Sequence, residues 1–420
     1  MTRDKFNVNN FQNLLILILI PSLITGPLLP EMICIILSLI FLFNLYRNFN
    51  LEFINKKIFL AYLLFTVILI FSSILSKYTR LSIETSIFYF RFIIFALAFS
   101  LILGKDIKTL RLLFLISTIT LVFLAINIII QYCFNIDLFG NIPLTPGRYS
   151  SLFGTELIAG GFLARFMFLG VIFILFISDI NKKYNTYLLS FYLILNTSAI
   201  FLSGERTSFF ILIINILIFV FYIKILRKII FILLLCIPIL GVIFIKINSD
   251  AKVRMFEVTK SEFFENNKIN IFTKVYQAHY TVAFNMFKDR PLIGHGVKSF
   301  REACKENRYA LYNGCTTHPH NFYMQFLAEI GLFGFFFLIL FYFYILFNFI
   351  KIFLKKNKNN IDLIKLILYQ AIIVNLFPFM PSGNFFNNWI SIVLYIPVAL
   401  IIFFENLNNK NQKYLIKYFK

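Results

Sequence analysis

Apolar runs of membrane-span length recur from residue 11 to residue 404, and no other feature of the chain limits its fold so strictly. Inside hydrocarbon every backbone N–H and C=O must be paired within the protein, which leaves helices and closed barrels. A barrel strand needs only about 10 alternating residues, whereas a helix needs about 20 continuous apolar ones. The runs here are continuous, so an all-α polytopic membrane protein is expected. About 12 transmembrane helices are placed, near 11–29, 31–46, 58–75, 85–103, 110–132, 156–177, 186–202, 208–222, 228–247, 321–350, 362–379 and 387–404. The second and eighth are short, and the tenth is long enough to tilt or project. The first has no Ala-x-Ala-like cleavage site and reads as a retained helix.

Charge sets the orientation. Charged residues make up 14% of the chain, against about 25% in ordinary proteins. A net charge of +21 would suggest nucleic acid in a soluble protein. Here the cations gather in alternate loops: Arg3 and Lys5; Arg47, Lys56 and Lys57; Lys105, Lys108 and Arg111; Lys182 and Lys183; Lys224, Arg227 and Lys228; Lys351, Lys355, Lys356 and Lys358; and Lys410 onward. The loops between them carry few cations: Lys77 and Arg80, Arg148, and Arg206. With twelve spans every basic loop falls on one side, so both termini are expected to be cytoplasmic. Membrane lipids, not nucleic acid, are the partners this pattern implies.

Three regions follow: helices one to nine over 1–247, a large outer loop over 248–320 between helices nine and ten, and helices ten to twelve with a cytoplasmic tail over 321–420. A smaller outer segment covers 133–155. The large loop is expected to be partly helical, with an amphipathic region at 271–288 suited to lying along a membrane surface. His279, His295, His318 and His320, all the histidines of the chain, lie in this loop or at its end. Cys304 and Cys315 also lie there, and an oxidising compartment would permit a disulfide between them, although spacing alone leaves the pairing open. Cys34, Cys133 and Cys236 read as small thiols in or near apolar helices.

The loop ends in Thr317-His318-Pro319-His320-Asn321, and an apolar helix begins there. Pro319 disfavours helical backbone at His318, and nothing after Asn321 is expected to interrupt the helix. Asn321, Gln325 and Glu329 fall at i, i+4 and i+8, forming one polar stripe. Polar groups inside a membrane are costly and usually functional. Gly331 and Gly334 offer a smooth patch to a neighbouring helix. Three readings of His318 and His320 stay open: solvated side chains, a neutral imidazole acting as base toward a hydroxyl, and a zinc site. No His-x-x-x-His or Cys-x-x-Cys pattern accompanies them.

Three further stretches carry candidate chemistry. Leu202 to Ser208 places Arg206 at a helix start on the outer side. It is either an interfacial arginine or a phosphate clamp, since a guanidinium fork matches phosphate oxygens. Gly147 to Gly161 carries Arg148 and Glu156, and Arg165 follows inside span six. An intramembrane arginine either pairs with an acid such as Glu156 or has a function; Arg91 in span four is equally ambiguous. Arg290-Pro291-Leu292-Ile293-Gly294-His295-Gly296 reads as a tight turn, and lacks the third glycine of a dinucleotide loop.

Together these pieces resemble the O-antigen ligase and O-antigen polymerase superfamily of bacterial membrane glycosyltransferases. The resemblance rests on Ser-Gly-Glu-Arg-Thr at 203–207, Arg-Pro-Leu-Ile-Gly-His-Gly at 290–296, and His-Pro-His-Asn with Gln325, Glu329 and Gly331. It covers roughly 145–340, and the order and spacing of the pieces carry it. The resemblance implies a metal-independent enzyme without cofactors, at the periplasmic face of the inner membrane. Such an enzyme moves a glycan from a polyprenyl-diphosphate carrier, such as undecaprenyl diphosphate, to an acceptor hydroxyl. It implies His320 as the base, with His318 beside it, and Arg206 on the diphosphate. Arg290, Arg165, Arg148, Asn321, Gln325 and Glu329 are the other candidate substrate-binding residues. A second phosphate-binding arginine belongs to the loop, where Arg290, Arg254 and Arg301 compete. Ligases often show an arginine a few residues before a tryptophan ahead of the Pro-Gly turn; this chain has Lys274 and no Trp there.

The acceptor is a lipid A core in the ligase form, for lipopolysaccharide biosynthesis, and another carrier-linked glycan in the polymerase form. A transporter of the same lipid is the alternative outside enzymology. It would need interrupted helices and a polar path through the bilayer, whereas the polar groups here gather at one edge.

Overall fold

The computed structural model describes residues 8–47, 56–178, 182–227, 249–265 and 268–407, with 229, 242 and 246 described singly. These residues are helical almost throughout; one two-residue hairpin pairs Phe264–Glu265 with Lys268–Ile269. Every expected span but the ninth coincides with a helix. The ninth, 228–247, lies largely outside the described residues. Eight helical stretches are long and apolar enough to cross a membrane, and Ile58–Ile74 and Arg206–Tyr222 are shorter apolar helices. This is a multi-pass membrane protein.

Two expectations about individual spans change. The second is not short: it runs Leu28–Arg47, 20 residues. The fourth starts earlier, at Thr79, and is divided into Thr79–Phe88 and Arg91–Lys105. A single apolar core threads the bundle, with Phe65, Phe95, Phe99, Phe114, Phe162, Phe166 and Phe326 almost fully enclosed. Hydroxyls within the helices bond back to their own turns, as Ser117 does to Leu113 O at 2.6 Å and Thr118 to Phe114 O at 2.7 Å. That pairing lets a hydroxyl sit in an apolar interior without an unsatisfied donor.

The helix after the histidines, Phe322–Phe353, is broken, against the expectation of an uninterrupted one. Gly331 sits at φ 68°, ψ −160° and divides it. The break frees carbonyls above it and N–H groups below it, and the 290–296 turn takes both. His295 N donates to Ala328 O at 3.0 Å and Gly296 N to Glu329 O at 2.7 Å. Leu332 N donates to Pro291 O at 2.8 Å and Phe333 N to Leu292 O at 3.3 Å. The orphaned groups of an interrupted helix are thus paired by a loop. A Cβ at Gly331 would overlap the Leu292 backbone, and one at Gly294 would overlap Glu329 and Ile330. The neighbour that approaches Gly331 is therefore a loop and not another helix, and Gly334 faces Ile330 of its own helix.

The amphipathic region forms a helix, Lys274–Asp289. One of its faces is buried, while Val275 and Phe284 stay exposed. Val282, Ala283 and Met286 pack with Phe300, Ala303, Cys304, Tyr309 and Ala328 in a second small core. Cys304 and Cys315 are disulfide-bonded, closing the strand of loop that leads to the histidines. Pro291–Gly296, this core and the disulfide together hold the loop against the upper end of the broken helix.

Candidate active site

Glycines bring the first part of the site together. The turn at 203–206 has Gly204 at φ 71°, and a Cβ there would overlap Gly147 O. Tyr149 N donates to Ser203 O at 3.2 Å, so the 147–149 strand lies along the turn. A Cβ at Gly147 would come within 2.8 Å of Asp250 O and 3.0 Å of Arg254 Cβ. Three remote stretches therefore meet: 147–149, 203–206 and the helical run that holds Arg254. Glu205 anchors the turn by accepting from Gly160 N at 2.7 Å, Gly161 N at 3.0 Å and Ser208 Oγ at 2.8 Å. A carboxylate at a helix N-terminus is favourably placed, because the first N–H groups have no partner inside the helix. Glu205 is thus a structural acid, and it leaves Arg206 projecting from the other side of the turn.

Arg148, Arg206 and Arg254 form a cationic cluster. Arg206 pairs with Glu262 at 2.7 Å and touches Thr259 Oγ1 at 3.3 Å. Arg148 donates to Leu157 O at 3.4 Å. The Nε atoms of Arg148 and Arg254 are buried with no partner among the described residues. Burial pushes the pKa of both guanidiniums below the ordinary arginine value, and the neighbouring Arg206 charge adds to it. Crowded cations with unspent donors are what a polyanion such as a diphosphate would satisfy.

Tyr276 links this cluster to the histidines. The charges of all three arginines bear on its hydroxyl, and its ring lies 5.6 Å from that of His320. His279, three residues on along the same helix, stacks on His320 at 5.2 Å with planes 24° apart. His318 closes the other side at 4.1 Å. The His320 ring is therefore boxed by three rings. Its backbone adopts φ 55°, a left-handed conformation uncommon for a non-glycine residue. Ser382 N donates to His320 O at 2.9 Å, and His318 Nε2 lies 3.3 Å from Ser382 O. Burial, then the neighbouring His279, pushes the His320 pKa down to about 4. Burial, then His320, pushes that of His318 down to about 3. Both imidazoles are therefore neutral at neutral pH, the form in which a ring nitrogen accepts a proton. Among the described residues no group of three or more His, Cys, Asp or Glu is arranged to hold a metal ion.

Other candidates lie elsewhere or are already engaged. Asn321 caps its helix, accepting from Tyr323 N at 3.0 Å and Met324 N at 3.1 Å while donating to Pro378 O at 2.7 Å. Gln325 donates to Glu329 Oε2 and Asn384 Oδ1, each at 2.9 Å, and accepts from Phe385 N at 2.9 Å. Glu329 accepts from Lys298 N at 3.0 Å and Phe300 N at 3.2 Å. The polar stripe thus fastens two loops to the helix, and these bonds occupy the atoms a substrate would use. Arg290 donates to Leu75 O at 2.9 Å, and its charge bears on His295. Arg165 bonds Gly161 O of its own helix at 3.2 Å, and the acid whose charge reaches it is Glu205; Glu156 is exposed. Arg91 pairs with Glu31 at 2.7 Å. Of the competing loop arginines, Arg254 is the one brought to Arg206.

In the sequence His279 stands only as one of the four histidines, and Tyr276 is not singled out. Their signal was available: Tyr276, His279 and Tyr280 fall at i, i+3 and i+4, one face of an amphipathic helix.

The fold and this cluster define a multi-pass helical membrane protein whose polar site is built from a large loop and the ends of several helices. Residues 191–339 match the family model described as O-antigen ligase, and the match supports the O-antigen ligase/polymerase superfamily. The matched stretch contains Arg206, Arg254, Tyr276, His279, His318, His320 and the Gly331 break, while Arg148 lies before it. No curated protein matches the chain.

Proposed function

We propose that this protein is an O-antigen ligase-like glycosyltransferase that moves a glycan from a polyprenyl-diphosphate carrier to an acceptor hydroxyl, without a metal ion. The observation that carries this reading is the boxed, neutral His320 ring beside Tyr276, on which three arginines converge. His320 takes the proton of the acceptor hydroxyl. The acceptor oxygen then bonds to the anomeric carbon as the bond from that carbon to the carrier diphosphate breaks. The diphosphate leaves with the electron pair, and Arg148, Arg206 and Arg254 stabilise its charge. Such fixed cations act without reorganising as the bond breaks. Arg206 exchanges Glu262 for the diphosphate when the donor binds. The acceptor is a lipid A core hydroxyl. The site faces the periplasm from the inner membrane, both termini are cytoplasmic, and the Cys304–Cys315 bond suits that oxidising side.

The test is glycan transfer by purified protein from a polyprenyl-diphosphate donor, with and without EDTA. Arg206→Ala is expected to lower the rate by about 10²–10³-fold, the cost of removing one fixed donor from developing charge. Wild-type rates in Arg206→Ala, or a reaction abolished by EDTA, would sink the mechanism. The pH profile makes a separate prediction. The His320 pKa is lowered, so the working neutral form persists until pH falls toward about 4. Transfer should be flat through the neutral range and fall only in acid. A limb at the ordinary histidine value of about 6.5 would contradict the placement of the base.

A further inference from the structure

Two cations whose main chain is tied to the polar stripe, Lys298 and Arg301, have no part in the donor reading. The main chain that carries them is held by one carboxylate, since Glu329 accepts from both Lys298 N and Phe300 N. That grip keeps Lys298 at φ 59°, a left-handed conformation a lysine rarely adopts. Backbone strain of this kind concentrates where a ligand is clamped. No hydrogen bond or close ion pair joins the Lys298 ammonium or the Arg301 guanidinium to another described residue, although the charge of Glu329 bears on both and that of Glu31 on Lys298. Arg301 Nε is buried and without a partner. Burial, then the Arg301 charge, pushes the Lys298 pKa below its ordinary value, against the opposing pull of Glu329 and Glu31. The carboxylate whose charge bears on both cations, Glu329, is spent on the Lys298 and Phe300 N–H groups and Gln325, so two partly buried cations share one engaged acid and leave a buried guanidinium donor for a second anion.

The position of the pair relative to His320 is set by the 382–385 segment. Ser382 N bonds His320 O, and Ser382 O lies beside His318 Nε2. Three residues on, Phe385 N bonds Gln325, which bonds the Glu329 that holds Lys298 and Phe300. Ser382 Oγ is buried and unpartnered. The Arg301 charge reaches His318, whereas the Arg148, Arg206 and Arg254 cluster reaches Tyr276. His318 and Tyr276 flank His320 at 4.1 Å and 5.6 Å. The two groups of cations thus approach the base past different neighbours.

We propose that Lys298 and Arg301, with Ser382 Oγ, form a second anion subsite on the His318 side of His320, which takes an acidic group carried by the acceptor glycan. This rests on the glycosyltransferase reading of the site. The ligand class is a phosphorylated or carboxylated sugar. Its acid is anchored here while a neighbouring hydroxyl is presented to His320.

The full-length protein in phosphatidylcholine nanodiscs tests this with two probes. Glucose 6-phosphate binding is followed by saturation-transfer NMR, with glucose as the control. Undecaprenyl diphosphate binding is measured separately. Wild type should bind glucose 6-phosphate and not glucose. Lys298→Met with Arg301→Gln should weaken glucose 6-phosphate binding by at least about tenfold, the scale of a lost charge-assisted contact, and leave undecaprenyl diphosphate binding unchanged. Arg206→Ala should do the reverse. Lys298→Arg should retain the sugar phosphate, which separates loss of charge from loss of fold. Sugar phosphate binding that is absent in wild type, or unchanged in the double variant, overturns the proposal. So does its abolition in discs of phosphatidylglycerol, which would make the pair a headgroup site. Failure of wild type to bind undecaprenyl diphosphate overturns the donor reading itself, and the acceptor assignment with it.

Discussion

His320→Ala is expected to lower glycan transfer by about 10²–10⁴-fold, the usual contribution of a positioned base, while leaving the protein folded. The ring is the only part of His320 that the proposed mechanism uses. Its backbone carbonyl, which accepts from Ser382 N, survives the substitution. The left-handed φ of 55° makes alanine a strained replacement, so His320→Asn serves as the second variant, because asparagine tolerates that conformation. Both should fail in transfer and still bind a polyprenyl-diphosphate donor, since Arg148, Arg206 and Arg254 are untouched. His318→Ala should cost less, because that ring flanks His320 and is bonded at Thr317 Oγ1 and Ser382 O. Transfer at the wild-type rate in His320→Asn would remove the residue from the mechanism.

Gly331→Ala is expected to destabilise the protein by about 3 kcal/mol or more, among the larger effects a single methyl group can have. Two costs combine: the φ of 68° is unfavourable for alanine, and the new Cβ would overlap the Leu292 backbone. Either the 290–296 turn moves away or the helix straightens. In both cases the N–H and C=O groups exchanged between Pro291–Gly296 and 328–333 lose their partners. Gly104→Ala is the control, because a Cβ there meets nothing within 4 Å and the residue lies in an ordinary helix. It should be neutral or slightly stabilising. Detergent-solubilised protein heated and followed by size-exclusion chromatography reads both. Equal melting temperatures for Gly331→Ala and Gly104→Ala would show that the break is not required.

Why Gly331 reads as a helix residue in the sequence is plain from its partners. Hydropathy across Phe322–Phe353 is continuous, and hydropathy reports the solvent around a segment, not its backbone. The break depends on Leu292, about forty residues earlier, and a lone glycine in an apolar run carries no mark of so distant a contact. The polar stripe was misleading for a related reason. Asn321, Gln325 and Glu329 do share a face, as their spacing requires, but what they meet is the main chain at 298–300 and 378–385. Helical spacing decides which residues stand together; it does not decide whether a substrate or a loop stands opposite. The same limit left Arg254, Arg290 and Arg301 tied. The Gly147–Arg254 contact and the bonds of Arg206 to Thr259 and Glu262 put one of them beside Arg206. The spans, the helix start at Asn321 and the histidine pair were legible because each follows from local composition or a local breaker.

The broken helix also separates two mechanical tasks. Below Gly331 the helix runs on to Phe353 with Phe333, Phe336, Leu340, Phe343 and Phe347 exposed along one side, while Phe337 stacks on Phe65 and Leu338 and Ile345 are buried against the bundle. Above Gly331, residues 322–330 are stitched to the turn at 291–296 and to Asn384–Phe385. The 290–296 turn bonds residues on both sides of Gly331, so the junction between the two halves is clamped by the loop. His320, Tyr276 and Lys298 ride on the upper block as a rigid tool head. The proposed base and cation sites thus hang on a helix end whose junction with the rest of the helix is held by loop bonds on both sides.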